Sequence, residues 1–348
     1  MNAKHAVATI TLFVLSLGGC KYLRKDPGRL VVRASSDDLE AHKLTGTTDT
    51  VFTGAADAIA YPAGALVIDK SGAFSRVEPG RTGSTSCTPS PHSTLLAIDD
   101  AGNHVLMQID EAATKTQTVE FMDLTTCAST RLHVRYAYRG DVARDGTEAV
   151  VGAFPDSCTS NDLNTCPVTL YRLRNSGSPV PTEILRGGPR AHYQPRYFPD
   201  GRIVFQTTER DTTCDGTVNR CRHDIVAMPI AGGPGSTLDV IREGAIAAGV
   251  SSDGKRIAYL AYYKEPGCKS ALPCKSMSVK IGDVKAHDDS NDVIIASGTA
   301  SNIPGHPFSL DGKWIAFSTG PTYEPETCHV DGSECRKFGG GHVVGWMK

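Results

Sequence analysis

The residues of this 348-residue chain whose spacing most clearly points to chemistry are its eleven cysteines. Cys20 stands alone near the N-terminus, and eight of the others fall into close pairs: Cys158 with Cys166, Cys214 with Cys221, Cys268 with Cys274, and Cys328 with Cys335. Paired zinc thiolates are usually two to four residues apart, whereas five to seven residues separate these cysteines. Disulfide bonds that staple loops are therefore the favoured interpretation, each stabilising its loop by roughly 2.5 kcal/mol.

A second set of residues that could do chemistry consists of His92, Arg139, His192, Tyr193, Arg196 and His306. Neutral imidazoles bind metals, and a cluster of histidine and arginine could cleave a polysaccharide. The three histidines precede the turn glycines of the repeats described below by 10, 9 and 6 residues, so their spacing does not force them together. A hydrogen-bonded funnel lining is favoured over a metal centre, and no metal or cofactor is predicted.

Known enzyme motifs give no further candidates. The sequence has no Gly-x-Ser-x-Gly and no His-Glu-x-x-His. Residues 249–255 match a phosphate loop by letter, but Arg256 stands where Ser or Thr would hold magnesium, and a strand is predicted to follow instead of a helix. The oxygen-rich stretches 156–164 and 288–292 lack EF-hand spacing and are interpreted as solvated turns. No catalytic residue is therefore predicted.

The first nineteen residues have the pattern of an export signal. A positively charged start precedes the apolar run 6–17, which is too short to cross a bilayer but has the length of a signal-peptide core. The run ends in Leu-Gly-Gly-Cys at 17–20, which resembles the lipobox of bacterial lipoproteins. The resemblance implies that residues 1–19 are removed and that Cys20 carries lipid, which would anchor the chain to a membrane.

This interpretation places the protein in the cell envelope. Lys21 follows the lipidated position where Asp would favour the inner membrane, so the outer membrane is expected if the source is Gram-negative. Export also permits disulfides. The net charge of −2 carries no electrostatic footprint for nucleic acid, and no nucleic-acid partner is expected.

One turn pattern recurs along the chain and sets the predicted fold. Asp-Gly favours a tight hairpin, because glycine accepts positive φ and Asp satisfies nearby backbone donors. Asp-Gly or a close variant is followed by an apolar run of strand length in AIDDAGNHVLMQ (97–108), VARDGTEAVVGA (142–153), YFPDGRIVFQTT (197–208), VSSDGKRIAYLA (250–261) and FSLDGKWIAFST (308–319), with a weaker relative in AYPAGALVID (60–69).

The Pro-Asp-Gly turn at 199–201 and its Ser-Asp-Gly and Leu-Asp-Gly variants resemble the WD40-like repeats of TolB-type periplasmic propellers. The resemblance spans about residues 58–319. Six hairpins predict an all-β fold, a six-bladed β-propeller of four-stranded antiparallel blades over 29–348, after a lipidated tether at 20–28. Residues 30–33 are expected to pair beside 342–346 and close the ring. A pair of stacked β-sandwiches is the alternative.

Blade topology assigns the loops to faces of the disc. The Asp-Gly turns join first to second strands on one face, whereas second-to-third loops and blade-to-blade crossings lie on the other. All four close cysteine pairs are expected in second-to-third loops, and the six polar residues in the crossings. Cys87 and Cys127 would pair by elimination, but the predicted strands place them on opposite faces, too far apart for a disulfide. Either the strands slip there or both thiols are free.

These features favour a non-catalytic envelope lipoprotein. It is expected to bind a protein or glycan partner through the face that carries the disulfide-stapled loops, because loops ordered in advance lose less entropy on association. The alternative is a polysaccharide lyase or hydrolase with the His/Arg-lined funnel as its site.

Overall fold

The computed structural model describes residues 27–348 except 112–113, 115, 160–165, 176–179, 189, 210–222, 232–235, 265–274, 298–299 and 321. The predicted signal peptide, Cys20 and most of the tether lie outside the described residues, as do the pairs Cys214–Cys221 and Cys268–Cys274. The boundaries at 19/20 and 28/29 therefore stay predictions. The described residues form strands and turns, and they include no helix with the length and hydropathy of a membrane span.

The described residues form 27 strands, which are numbered in chain order. The first nine are β1 (Arg29–Ala34), β2 (Leu39–Lys43), β3 (Thr48–Phe52), β4 (Ala55–Tyr61), β5 (Gly64–Asp69), β6 (Phe74–Glu78), β7 (Arg81–Ser84), β8 (Ser93–Ile98) and β9 (His104–Glu111). The next nine are β10 (Thr116–Asp123), β11 (Ser129–Val142), β12 (Glu148–Pro155), β13 (Thr169–Arg174), β14 (Thr182–Leu185), β15 (Arg190–Tyr197), β16 (Arg202–Glu209), β17 (His223–Pro229) and β18 (Asp239–Glu243). The last nine are β19 (Ala245–Val250), β20 (Arg256–Lys264), β21 (Lys275–Asp283), β22 (Val293–Ala296), β23 (Ala300–Asn302), β24 (Trp314–Thr319), β25 (Glu324–His329), β26 (Cys335–Lys337) and β27 (Gly341–Met347).

These strands make seven four-stranded antiparallel blades within the described part of the chain. The hydrogen-bonded sheets are β27-β1-β2-β3, β4 to β7, β8 to β14, β15 to β18, β19 to β22 and β23 to β26. The seven-stranded sheet is two blades, because residues 129–134 of β11 pair with β10 whereas residues 134–142 pair with β12. The blades are numbered 1 to 7 in this order, from the sheet that contains β1.

The propeller class is confirmed, but the expected count of six blades was one too low. Six blades begin with a hairpin whose turn joins the first and second strands, and these are the six turns seen in the sequence. In blade 1 the first strand is β27 and the second is β1, which come from opposite ends of the described chain. No turn connects them, so blade 1 has no Asp-Gly signature to count.

Pairing of β1 with β27 closes the ring as predicted, with Leu30 opposite Trp346 and Val32 opposite Val343. Leu30, Val32 and Trp346 are buried together with Ala316 of β24, which packs blade 7 against blade 1. Equivalent buried clusters lie between the other neighbouring blades. A blade buries both faces only through its neighbours, so closure completes the core.

The recurring turn has the same hydrogen bonds in successive blades. In blade 6, the Asp253 carboxylate accepts from the Ser251 hydroxyl at 2.6 Å and from the Lys255 backbone N–H at 3.1 Å. Asp311 of blade 7 accepts from Ser309 at 2.6 Å and from the Lys313 N–H at 3.0 Å. The glycine that follows each Asp has φ near +70°, a conformation that favours glycine. We call the face that carries these turns the turn face, and the opposite one the crossing face.

The first strand of each blade lies innermost, at the centre of the ring. In every blade its pairing with the second strand contains a register shift. In β11 the shift falls between Ala137 and Gly140, and in β15 between Tyr193 and Arg196. A bulge bends the strand and redirects side chains. These shifts therefore determine how Arg139 and Arg196 are presented to the centre of the ring.

The chain enters blade 1 at the turn face. The backbone N–H of Leu310, in the blade 7 turn, donates to the Pro27 carbonyl at 3.2 Å, and a Cβ at Gly28 would meet the Met347 carbonyl oxygen at 2.5 Å. Met347 is the last residue of β27 and pairs with Arg29. The described chain thus begins beside the end of the innermost strand.

Blades 5 and 6 are joined by a buried ion pair. Arg242 of β18 and Asp292, which precedes β22, form two hydrogen bonds of 2.7 and 3.0 Å, and both side chains are about 2% exposed or less. The Tyr259 hydroxyl also donates to Asp292 at 2.5 Å, and the guanidinium donates to backbone carbonyls of Ile241 and Asp283. The pair is therefore fully hydrogen-bonded, which buried charges require.

We expect Asp292→Ala to lower the free energy of unfolding by about 3–5 kcal/mol, because it leaves the buried Arg242 guanidinium without its carboxylate. The matched control is Asp289→Ala, which breaks the pair between Lys280 and Asp289, a carboxylate that is 56% exposed, and should cost less than about 1 kcal/mol. Urea unfolding followed by tryptophan fluorescence measures both. Equal losses would show that the blade 5–blade 6 pair is not special.

Candidate functional site

Four of the six predicted funnel residues lie in the innermost strands and not in the crossings, where they were expected. Arg139 belongs to β11, and His192, Tyr193 and Arg196 belong to β15. The expectation was wrong because these strands begin several residues earlier than the apolar pattern indicates. The polar residues are part of the strands that line the centre of the ring.

Three of the predicted residues come together at the centre, where they link blades that are not neighbours in the ring. Arg139 of blade 4 donates from Nη1 to the Ile303 carbonyl of blade 7 at 3.2 Å. His306 Nε2 of blade 7 lies 3.3 Å from Asp141 Oδ1 of blade 4. The Arg196 guanidinium of blade 5 lies against Gly305 of blade 7, where an added Cβ would meet it at 3.0 Å. We call Arg139, Asp141, Arg196 and His306 the cross-brace.

Asp141 is the acceptor at the centre of the cross-brace. Its side chain is 2% exposed, and its Oδ2 accepts the backbone N–H of Tyr197 at 2.8 Å while Oδ1 faces His306. Burial acts to raise the pKa of Asp141, but the charges of His306 and Arg196 and the hydrogen bonds outweigh it, so the pKa lies below its usual range. Asp141 is therefore ionised.

The two arginines of the cross-brace have few acceptors. Arg196 is 5% exposed and donates from Nη1 to the carbonyls of Gly140 and Pro195, and its Nε has no hydrogen-bond partner among the described residues. Burial lowers the pKa of Arg139 to about 10, and the neighbouring charge of Arg196 acts in the same direction. The centre of the ring thus concentrates positive charge.

The remaining predicted residues do not join the cross-brace. His92 is exposed, with φ of +61°, in the crossing before β8. His192 is buried edge-on against Phe205, with ring centroids 5.3 Å apart, and Tyr193 packs on Tyr138 at 4.8 Å. The three histidines accordingly lie in three different environments. The one group of potential metal ligands that the described residues bring together is Glu326, Cys328 and Cys335, whose two sulfurs are joined in a disulfide.

A cavity of about 280 Å³ lies at the turn face, where the innermost strands of six blades end. Its walls are largely apolar and include Tyr61, Ile98, Val250, Phe308 and Trp346. His306 also lines it, so one edge of the cross-brace reaches the cavity. The rim carries Asp100, Arg144 and Lys348, and Arg144 reaches across blade 5 to donate to the Ser252 carbonyl at 2.7 Å.

Three cysteine pairs lie within the described residues, and each is at disulfide distance. Cys158–Cys166 lies between β12 and β13, the second-to-third position expected for it. Cys87 and Cys127 are also joined, with Cα atoms 5.4 Å apart, so the prediction that they face opposite ways was wrong. β7 has only four residues, so the crossing from blade 2 to blade 3, which contains Cys87, starts before the chain has reached the far face of the propeller. Cys87 Sγ accordingly lies 3.3 Å from the carbonyl oxygen of Leu124, close to Cys127.

Cys328–Cys335 corrects another prediction, because this pair joins the third and fourth strands of blade 7, β25 and β26. The four residues between β24 and β25 make too short a connection to hold the pair. β25 has the sequence Glu-Pro-Glu-Thr-Cys-His, whose polar residues and proline conceal a strand. The loops that hold Cys158–Cys166 and Cys328–Cys335 therefore do not share one face.

Sequence reasoning missed Asp141, Arg144 and Trp346. A signal for Asp141 was present: it precedes its turn glycine, Gly146, by five residues, as Arg196 precedes Gly201. Aligning the repeats on these glycines places both side chains at equivalent positions of neighbouring blades. Trp346 carries no such signal, because it lies in the blade without a hairpin turn.

Known structures share this architecture. TolB from Acinetobacter baumannii superimposes with a TM-score of 0.52 and 16% identity, over 92% of this chain and 66% of that one. The chain folds as a TolB-like β-propeller. An oligogalacturonate lyase in complex with manganese gives a TM-score of 0.59 at 11% identity, over 87% of this chain and 85% of the lyase. A prolyl endopeptidase gives 0.56 at 10% identity, and the TolB-like propeller spans 49% of its length.

Neither the family models nor the curated proteins include a match to this sequence. Identities this low show the fold alone. The activities of the neighbours differ although the propeller is shared, so the cross-brace and the cavity, and not the fold, bear on function.

Asp141→Asn should destabilise the propeller at neutral pH by about 1.5–3 kcal/mol, because the Tyr197 N–H and His306 then face a neutral group in place of a charged acceptor. The folded pKa of Asp141 is below its unfolded value. Its ionised form therefore stabilises the fold above about pH 4, and this contribution is lost as the pH falls through the folded pKa.

Unfolding free energies of the wild type and Asp141→Asn measured from pH 7 to pH 3 should consequently converge at low pH. The control is Asp49→Asn, at a carboxylate that is 53% exposed and pairs with Arg29 at 2.9 Å. A difference that is constant across this pH range would contradict an ionised Asp141.

Proposed function

We propose that this chain is a non-catalytic scaffold of the bacterial cell envelope that is tethered by lipid at Cys20 and holds a protein partner at the turn-face cavity. The propeller fold is suited to a scaffold or binding role, and the likeness to TolB supports an envelope location. The lipobox-like residues 17–20 support the tether.

The cavity carries the binding part of the proposal. Ligand sites are concave and mostly apolar, with a few polar groups that fix orientation. The turn-face cavity has apolar walls, His306 on the side of the cross-brace, and charged residues at the rim. It replaces the stapled-loop face as the favoured surface, because Cys328–Cys335 is not in a second-to-third loop.

A polysaccharide lyase or hydrolase is the second candidate, and one observation favours it. Asp141 orients His306 at the cavity, and a histidine held by a carboxylate can act as a general base. The fold is also that of an oligogalacturonate lyase. Turnover of oligogalacturonate that is abolished in His306→Ala and retained in His92→Ala would establish this candidate in place of the scaffold.

The tether predicts metabolic labelling. Cells supplied with an alkyne analogue of palmitate should label the wild-type chain and leave Cys20→Ser unlabelled, because acylation requires the Cys20 thiol. A click reaction to a fluorophore after immunoprecipitation measures the label. Cys87→Ser is the control, since Cys87 lies in a disulfide far along the chain. Equal labelling of wild type and Cys20→Ser would remove the tether.

The cavity predicts a crosslinking pattern. A photoreactive benzophenone residue in place of Asp100, at the cavity rim, should capture a defined protein band in living cells. The same residue in place of Ile294, an exposed residue of the outermost strand of blade 6, should not. Capture at Ile294 and not at Asp100 would contradict the cavity as the binding site.

A further inference from the structure

The charges around the turn-face cavity are unbalanced. The cross-brace holds Arg139, Arg196 and His306 against one carboxylate, Asp141, which faces His306 at 3.3 Å and interacts with the charge of Arg196 from further away. The side chains that line the rim include two basic ones, Arg144 and Lys348, and one acidic one, Asp100. The cavity therefore lies in a field that attracts negative charge, and apolar walls strengthen such a field because they exclude water.

The cross-brace is also short of acceptors. Arg139 and Arg196 donate to backbone carbonyls, and no carboxylate of a described residue lies within 4.0 Å of either guanidinium. Both oxygens of Asp141 are used, by the Tyr197 N–H and by His306. A buried cation without a close counter-ion is costly, so an anion bound nearby would stabilise this region.

His306 connects this charge to the cavity. Its side chain is 49% exposed, and it faces Asp141 through Nε2, which leaves Nδ1 on the other side of the ring. An imidazolium donates from both nitrogens. His306 can therefore hold Asp141 with one nitrogen and a ligand oxygen with the other.

The walls of the turn-face cavity restrict which kind of molecule can carry the anionic group. Ile98, Phe308 and Trp346 offer apolar surface, which suits aliphatic and aromatic side chains. A sugar ring would bring several hydroxyls that need hydrogen-bond partners when buried. A volume of about 280 Å³ is near the lower end of the range for small-ligand sites, so a chain end fits and a folded surface does not.

We propose that the turn-face cavity captures the free C-terminal carboxylate of a partner polypeptide whose last residues are apolar. The carboxylate accepts from His306, in the field of Arg196, and the apolar side chains pack on Trp346 and Phe308. This inference rests on the proposed function and specifies its ligand.

Fluorescence anisotropy on the purified propeller tests the inference. The probe is a fluorescein-labelled hexapeptide pool, Gly-Ser-Gly-Ser followed by two positions drawn from Ala, Val, Leu and Phe, with either a free or an amidated C-terminus. The free acid should bind at least tenfold more tightly than the amide. Binding should also change the fluorescence of Trp346, measured in a Trp314→Phe background, because the chain has two tryptophans.

Two variants locate the carboxylate. His306→Gln should abolish the preference for the free acid, and Arg144→Gln, at the rim, should weaken binding of the free acid while leaving the amide unchanged. His92→Gln is the control, because His92 is exposed on another part of the molecule. A preference for the acid that survives both cavity variants would overturn the assignment.

The remaining outcomes separate this inference from the proposed function. Equal binding of acid and amide, or trigalacturonate binding in place of either peptide, overturns the carboxylate-end ligand. If neither peptide binds while the Asp100 crosslinker still captures a protein, the inference fails and the scaffold role stands. If that capture is also lost, both fail.

Discussion

Every blade of this protein has two apolar faces, and no blade can cover both by itself. The strand runs are buried on either side, as in Ile203, Val204 and Phe205, which are all fully buried. Such sheets are stable only when each finds a neighbour in both directions, and a ring is the arrangement in which the first and last sheets also find one. Pairing of β1 with β27 supplies that last contact and leaves short, protected edges. The turn-face cavity exists because the ring is closed.

The recurring turn made most of this fold predictable. Asp-Gly with a following β-branched or aromatic run states both where a hairpin bends and where its second strand begins. The repeat therefore located six blades, and the need to close their ring indicated the strands at 30–33 and 342–346. The seventh blade could not be counted in this way, because a strand pair made from distant segments needs no turn. The strand of residues 324–329 escaped for a different reason: its burial comes from tertiary contacts, and neither its composition nor its proline suggests a strand.

The candidate site was predicted in its residue types more than in its arrangement. Arg139, Arg196 and His306 do meet at the centre of the ring, where the two arginines reach blade 7 and His306 faces Asp141. That meeting depends on bulges in the innermost strands. A bulge shifts which side chains point inward, and spacing along the sequence does not reveal it. His192 lies only four residues before Arg196 on the same strand, but its ring packs against Phe205 and does not join the cross-brace. Proximity in sequence and participation in the site are separate questions.

The position where the chain joins blade 1 has a consequence for orientation. Gly28 lies beside Met347 and Leu310, at the same face as the cavity. A nine-residue segment from Cys20 to Gly28 spans at most about 30 Å when extended. If Cys20 is held in a bilayer, the propeller would lie close to the membrane surface, with the turn-face cavity directed towards the lipid headgroups. A partner would then have to enter from the side, between the propeller and the membrane surface. Large soluble proteins would not fit into that space.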